Sequence, residues 1–150
     1  MIRIIATALV LASCAGLASA QDAGRLQALS GELRGEALAR AETLSGAPGA
    51  PSAPVEPFDP FVTGVQDFAA EAMALSRHIE EVAPASDLKC IFRGMSEDAL
   101  SRLDLLAEPA RGADRARSYE AYARLFEDAE AIAADEDTVS LAALPCPASD

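Results

Sequence analysis

Few side chains in this 150-residue sequence could do chemistry, and they are scattered. The only histidine, His78, has Glu81 three residues on. On a helix that spacing puts an imidazole and a carboxylate one turn apart, which is half of a metal site. The other ligands would have to come from elsewhere in the fold, and 24 acidic residues make carboxylates common everywhere. Arg111, Arg115 and Arg117 gather where a helix is expected to begin. Cations there oppose the macrodipole, so they either pair with acids such as Glu108 and Glu120 or hold an anion together with free amide groups. Asp135-Glu136-Asp137 opens like a calcium loop, but the sixth position is Ser140 instead of glycine and the twelfth is Cys146 instead of glutamate, so that reading fails. The trio reads as a solvated break, with Asp137 capping the short apolar piece from Val139 to Leu144. No serine or cysteine stands in a nucleophile elbow, and the Cys-x-x-Cys-His signature of covalently held haem is absent. The chain reads as a non-enzymatic protein without a cofactor.

The three cysteines point to a compartment. Arg3, the apolar run Ile4 to Ala12, Gly16 and Ala18-Ser19-Ala20 before Gln21-Asp22 have the form of an export leader, residues 1–20, cleaved after Ala20. Leu11-Ala12-Ser13-Cys14 also matches a lipoprotein signal, in which Cys14 would be acylated and anchor the chain to a membrane. Either route leaves Cys90 and Cys146, an even pair expected to form a disulfide outside the cytoplasm. The bridge would close a loop of about 56 residues and contribute on the order of 4 kcal/mol. Periplasmic or secreted is the expected location.

Charge excludes other partners. The formal net charge is −12, and loss of Arg3 with the leader makes it more negative still. Such a chain repels phosphate backbones and anionic lipid surfaces, so nucleic acid is excluded as a partner, and membrane contact depends on lipidation of Cys14.

The elements that must position these residues read as all-α. Apolar residues make up 51% of the chain, largely Ala and Leu without Trp, which suits a thin core of closely packed helices. Residues 21–45 form an amphipathic helix with Leu26, Leu29 and Leu33 on one face, weakened by Gly31 and Gly35. Residues 46–60 carry Pro48, Pro51, Pro54, Pro57 and Pro60 at a strict spacing of three, the period of polyproline II. This predicts an extended, solvated linker of roughly 37 Å. The compact helical domain is expected over 58–150. Its first helix opens either at Asp59-Pro60 or, about a turn later, at the capping box Thr63 to Gln66, and ends before Pro84. The next starts at Ser86 or Asp87 and reaches Ala107, either broken at Gly94 with a new start at Ser96-Glu97-Asp98 or continuous through it. A further helix spans 114–134, and the tail carrying Cys146 folds back over the bundle.

The expectation is therefore a small three- to four-helix bundle, with a leader, a proline linker and a disulfide-tethered tail. It predicts an envelope protein that binds a protein partner through the stripe Leu26, Leu29 and Leu33, because those leucines on a glycine-weakened helix need burial somewhere. The competing expectation is a periplasmic carrier of a small ligand or metal, using His78 or the arginines.

Overall fold

The computed structural model describes residues 18–145, with side chains from Asp22 onward. Residues 1–17, with Cys14 and most of the expected leader 1–20, and residues 146–150, with Cys146, lie outside the described residues. The elements run α1 (Ala18–Ser45), β1 (Pro51–Ser52), α2 (Pro60–Val82), α3 (Leu88–Ser101), α4 (Leu103–Ala107), β2 (Ala110–Arg111), α5 (Gly112–Ala133) and α6 (Glu136–Ala142). The chain is mainly helical and bundled, in agreement with the all-α reading.

The first helix is part of the bundle, a point the sequence left open. It packs chiefly along α5 and secondly on α2, and Ala23, Leu26, Leu33, Ala37 and Ala41 belong to the core. With Ser30, also buried, between Leu26 and Leu33, those positions recur at three and four residues, so a single face is covered along the helix. The glycines do not break it, because a helix of this length is held by the tertiary contacts of its apolar face. At the α1–α2 crossing the helices come close: a Cβ on Gly64 would lie 2.7 Å from Leu33 Cδ2. Aromatic residues from α2 and α5 fill the centre. Phe61 meets Tyr119 and Tyr122 edge-on at 5.2 and 5.3 Å, and Phe68 meets Phe126 at 5.0 Å. These geometries suit the ring quadrupoles.

Of the two possible starts of α2, the fold takes the earlier. Asp59 is the N-cap, its carboxylate accepting from Phe61 N at 2.8 Å, and Pro60 occupies the first turn. Of the two alternatives at Gly94, a break or a continuous helix, the fold takes the continuous one. That glycine lies within α3, and no described glycine has the positive φ that a glycine cap requires. Its neighbours are anchored instead: Phe92 is buried, and Ser96 Oγ donates to Ala69 O at 2.8 Å. The chain loosens later, at Arg102, between α3 and α4. Asp135, not Asp137, caps α6, accepting from Asp137 N at 2.9 Å. As expected, α6 folds back, packing on α1 and α2.

The largest departure is the proline segment, which is not a solvated strut. It bends through turns (Ala50 N to Ala47 O, Asp59 N to Glu56 O) and pairs antiparallel with the α4–α5 junction, Pro51 opposite Arg111 and Ser52 opposite Ala110. Val55 N donates to Leu106 O at 2.9 Å, and Gly112 N and Ala113 N, at the start of α5, donate to Ala50 O and Pro48 O, each at 2.9 Å. Proline lacks a donor but keeps its carbonyl. The segment therefore accepts from helix-start amides that would otherwise lack partners.

Candidate functional site

The docked segment, the starts of α2 and α5, the end of α1 and α4 all meet at one end of the bundle. Arg115 and Arg40 tie that end together. Arg115 is 1% exposed, and its guanidinium donates to the main-chain oxygens of Leu105 at 2.8 Å, Ala53 at 3.4 Å and Glu108. One cation thus joins α4, the junction after it and the proline segment. Arg40 donates from α1 to both oxygens of Asp59, at 2.7 and 3.1 Å, to Glu36 at 2.6 Å and to Tyr119 Oη at 3.3 Å. Its plane also lies 5.2 Å from the Phe61 ring centroid, within cation–π range. Burial works to raise the Asp59 pKa, but the hydrogen bonds from Arg40 and the Phe61 amide outweigh it and hold the carboxyl below its usual range. Burial likewise opposes the Arg40 cation, and its acceptors outweigh that, pushing its pKa up. The arginine is fully engaged with two carboxylates, so its role is to lock the turn before α2.

That turn presents Phe58, whose side chain is 91% exposed. Its flanking residues Val55, Pro57 and Val62 join Leu100, Leu103 and Leu106 in lining a groove of about 310 Å³. Leu100 and Leu105 are also exposed, so the edge is apolar over several side chains. Its rim is acidic: Asp104 lines the groove, while Glu56 and Glu108 adjoin lining residues, and all three are exposed. Scattered single apolar residues on a surface are ordinary, whereas a contiguous apolar edge rimmed by polar groups is characteristic of interaction sites.

The residues singled out from sequence fall elsewhere. Leu26 is 0% and Leu33 4% exposed, and Leu29 is half-buried against the same core. The proposed partner stripe is therefore internal, because α5 and α2 cover it. The three arginines do not form a cluster. Arg115 is spent on carbonyls, Arg117 pairs with Asp114, and Arg111 is an exposed strand residue. His78 Nε2 lies 3.3 Å from Leu141 O, joining α2 to α6. Among the described residues no group of three or more His, Cys, Asp or Glu could hold a metal, so His78 and Glu81 are not completed into a site. Cys90 is exposed on α3 and unbridged among the described residues, and Cys146 lies beyond them. Among the described residues no helix is long and apolar enough to cross a membrane.

Phe58 was legible in one respect. It precedes the cap Asp59, the position from which an apolar residue staples to the fourth residue of the helix, and that residue is the polar Thr63. No staple partner exists in the sequence. Arg40 carried no such signal, since its partners are 19 and 79 residues away.

No family model, no curated protein and no solved structure matches this chain.

Proposed function

We propose that this is an exported, non-enzymatic envelope protein that binds a protein partner through the apolar edge centred on Phe58, in place of the α1 stripe. The observation that carries the reading is the exposure of Phe58 on a locked turn. The turn beneath the ring is fixed before binding, so little backbone freedom is lost on burial, and aromatic anchors dominate interface energies, typically at about 2 kcal/mol or more. The acidic rim selects the occupant. A segment presenting an apolar side chain between lysines or arginines matches Glu56, Asp104 and Glu108 and suits the net charge of −12. The leader supports export to the periplasm or beyond, either as a free protein starting at Gln21 or anchored through an acylated Cys14. Export in turn would place Cys90 and Cys146 where disulfides form.

A photo-crosslinking residue at position 58, in cells of an exporting bacterium, tests this. The expected result is one discrete heterologous adduct. It should weaken with salt and with Glu56→Lys plus Asp104→Lys, vanish with Leu100→Asp, and be absent when the probe replaces Val139, an exposed apolar residue on α6. A self-adduct, or the same adducts from both positions, would defeat the proposal. Cell fractionation and intact mass test the export separately.

A further inference from the structure

The proline segment leaves a pocket of about 230 Å³ between itself, α1 and α5. Arg40 and Leu44 line it from α1, and Arg115 and Tyr119 from α5. Each pair is four residues apart, so each lies on one helix face, and the pocket occupies the space between the two faces. Ser52 and Val55 of the segment supply a third side. Leu44 and Val55, half-buried against the core, make the wall apolar there. Thr43 also lines the pocket and is exposed, so the pocket opens to solvent. Val55 is shared with the Phe58 groove, and the other lining residues are not.

Three polar groups of the lining residues keep hydrogen-bonding capacity unused. Arg115 is 1% exposed, and its Nε donor has no acceptor among the described residues. Tyr119 is 3% exposed; its hydroxyl accepts from Arg40 at 3.3 Å, and its own proton goes to no acceptor among the described residues. The half-buried Ser52 hydroxyl makes no hydrogen bond among them either. Buried donors are ordinarily satisfied, so a ligand oxygen that takes up this capacity relieves a cost already present in the fold. The donors are also fixed beforehand. Asp59 and Glu36 hold Arg40, and main-chain carbonyls hold the Arg115 Nη atoms, so little side-chain freedom is lost on binding.

Charge and size select the ligand class. Two guanidinium groups exclude a cation. An anion would enter against Asp59 and Glu36, which already answer the charge of Arg40, and against a chain of net charge −12. An uncharged oxygen meets neither objection. The volume is below the range of about 300–1,000 Å³ common for drug-sized ligands, which leaves room for about one ring. We propose that this pocket binds a small uncharged molecule with one apolar ring and an acceptor oxygen, the oxygen received by Tyr119 and Arg115 and the ring by Leu44 and Val55. The proposal goes beyond the partner-binding reading and needs neither export nor a protein partner.

The test titrates acetophenone, an apolar ring with a single carbonyl, into the purified full chain and follows the backbone amides by NMR. Saturable shifts are expected between Arg40 and Leu44, at Ser52 and Val55, and between Arg115 and Tyr119. The expected Kd is about 1 mM or below, given the efficiency of ligands this small. α-Methylstyrene, in which a methylene replaces the carbonyl oxygen, should bind at least about 10-fold more weakly. Benzoate, the anionic counterpart, should bind no more tightly than acetophenone. Tyr119→Phe removes one donor and keeps the ring, so it should weaken acetophenone about 3- to 10-fold and leave α-methylstyrene unchanged. Ser52→Leu, which fills the pocket from the proline segment, should abolish the shifts; if that variant misfolds, the three compounds on the wild type still decide. No saturable shift at about ten times the expected Kd, equal binding of α-methylstyrene, tighter binding of benzoate at these amides, or shifts centred on the Phe58 groove would overturn the proposal.

Discussion

Replacing Arg115 by methionine separates a structural tie from an anion site. The guanidinium is almost wholly buried and makes three hydrogen bonds, all to main-chain carbonyls and none to a carboxylate, while its Nε has no partner. Hydrogen bonds to a charged group contribute about 1.5–3 kcal/mol each. Two effects reduce the total: methionine keeps the apolar stem and removes the cost of a desolvated cation, and Leu105, Glu108 and Ala53 are themselves exposed, so water reaches part of what is released. The net expected loss is about 2–3 kcal/mol, a large share of the stability of a domain this size. Urea unfolding followed by circular dichroism should show a midpoint lowered by about 1–2 M. Amide exchange at Val55 and Gly112, whose bonds lace the same segment, should accelerate more than exchange in the α1–α5 core. Lysine, a compact ammonium lacking the planar fork, should recover only part of the loss. A change below about 0.5 kcal/mol would refute the reasoning, given the magnitudes above. So would a phosphate-dependent rise in the midpoint that the wild type shows and the methionine variant lacks, because the cation would then be holding an anion.

Two further substitutions probe the same packing. A Cβ on Gly112 would meet Ala47 O at 2.6 Å and Leu44 O at 3.3 Å, both backbone, whereas one on Gly64 meets the flexible tip of Leu33. Gly112→Ala should therefore cost about 1–3 kcal/mol in urea unfolding, while Gly64→Ala stays near neutral because the gain in helix propensity offsets a small side-chain shift. Tyr122 donates to Ala99 O at 2.8 Å, and burial pushes its phenol pKa up. Tyr122→Phe should cost about 1 kcal/mol at neutral pH. A pKa raised on folding means stability that is intact below the unfolded value, about 10, and lost as pH rises above it. The wild type should thus lose stability above about pH 10 and the variant should lose less, as pH-resolved thermal melts would reveal.

Local chemistry was legible where a residue acts on its sequence neighbours. Asp59-Pro60 starts α2 and Pro84 follows its end, because a cap oxygen and a missing amide act within a few residues. The three-and-four spacing of Leu26, Leu29, Leu33, Ala37 and Ala41 marked the apolar face of α1, of which all but the half-buried Leu29 are fully buried. Periodicity states which face is apolar but not what covers it, and the reading of α1 as a free docking helix failed there. The proline repeat misled for a related reason. A period of three is compatible with polyproline II, but it does not forbid turns, and the carbonyls of Pro48 and Ala50 could be matched to the amides of Ala113 and Gly112 only once α5 stood opposite.

By itself, then, the amino-acid order determined a helical chain with these apolar stripes, caps and acidity, since each depends on spacing or composition alone. The tertiary structure decided that α1 lies within the core, that Arg40 and Arg115 lock one end, and that Phe58 is left outside. Those outcomes depend on which distant surfaces exclude water together. Arg40 meets Asp59 and Tyr119 across 19 and 79 residues, and only the packed arrangement brings such groups to hydrogen-bonding distance.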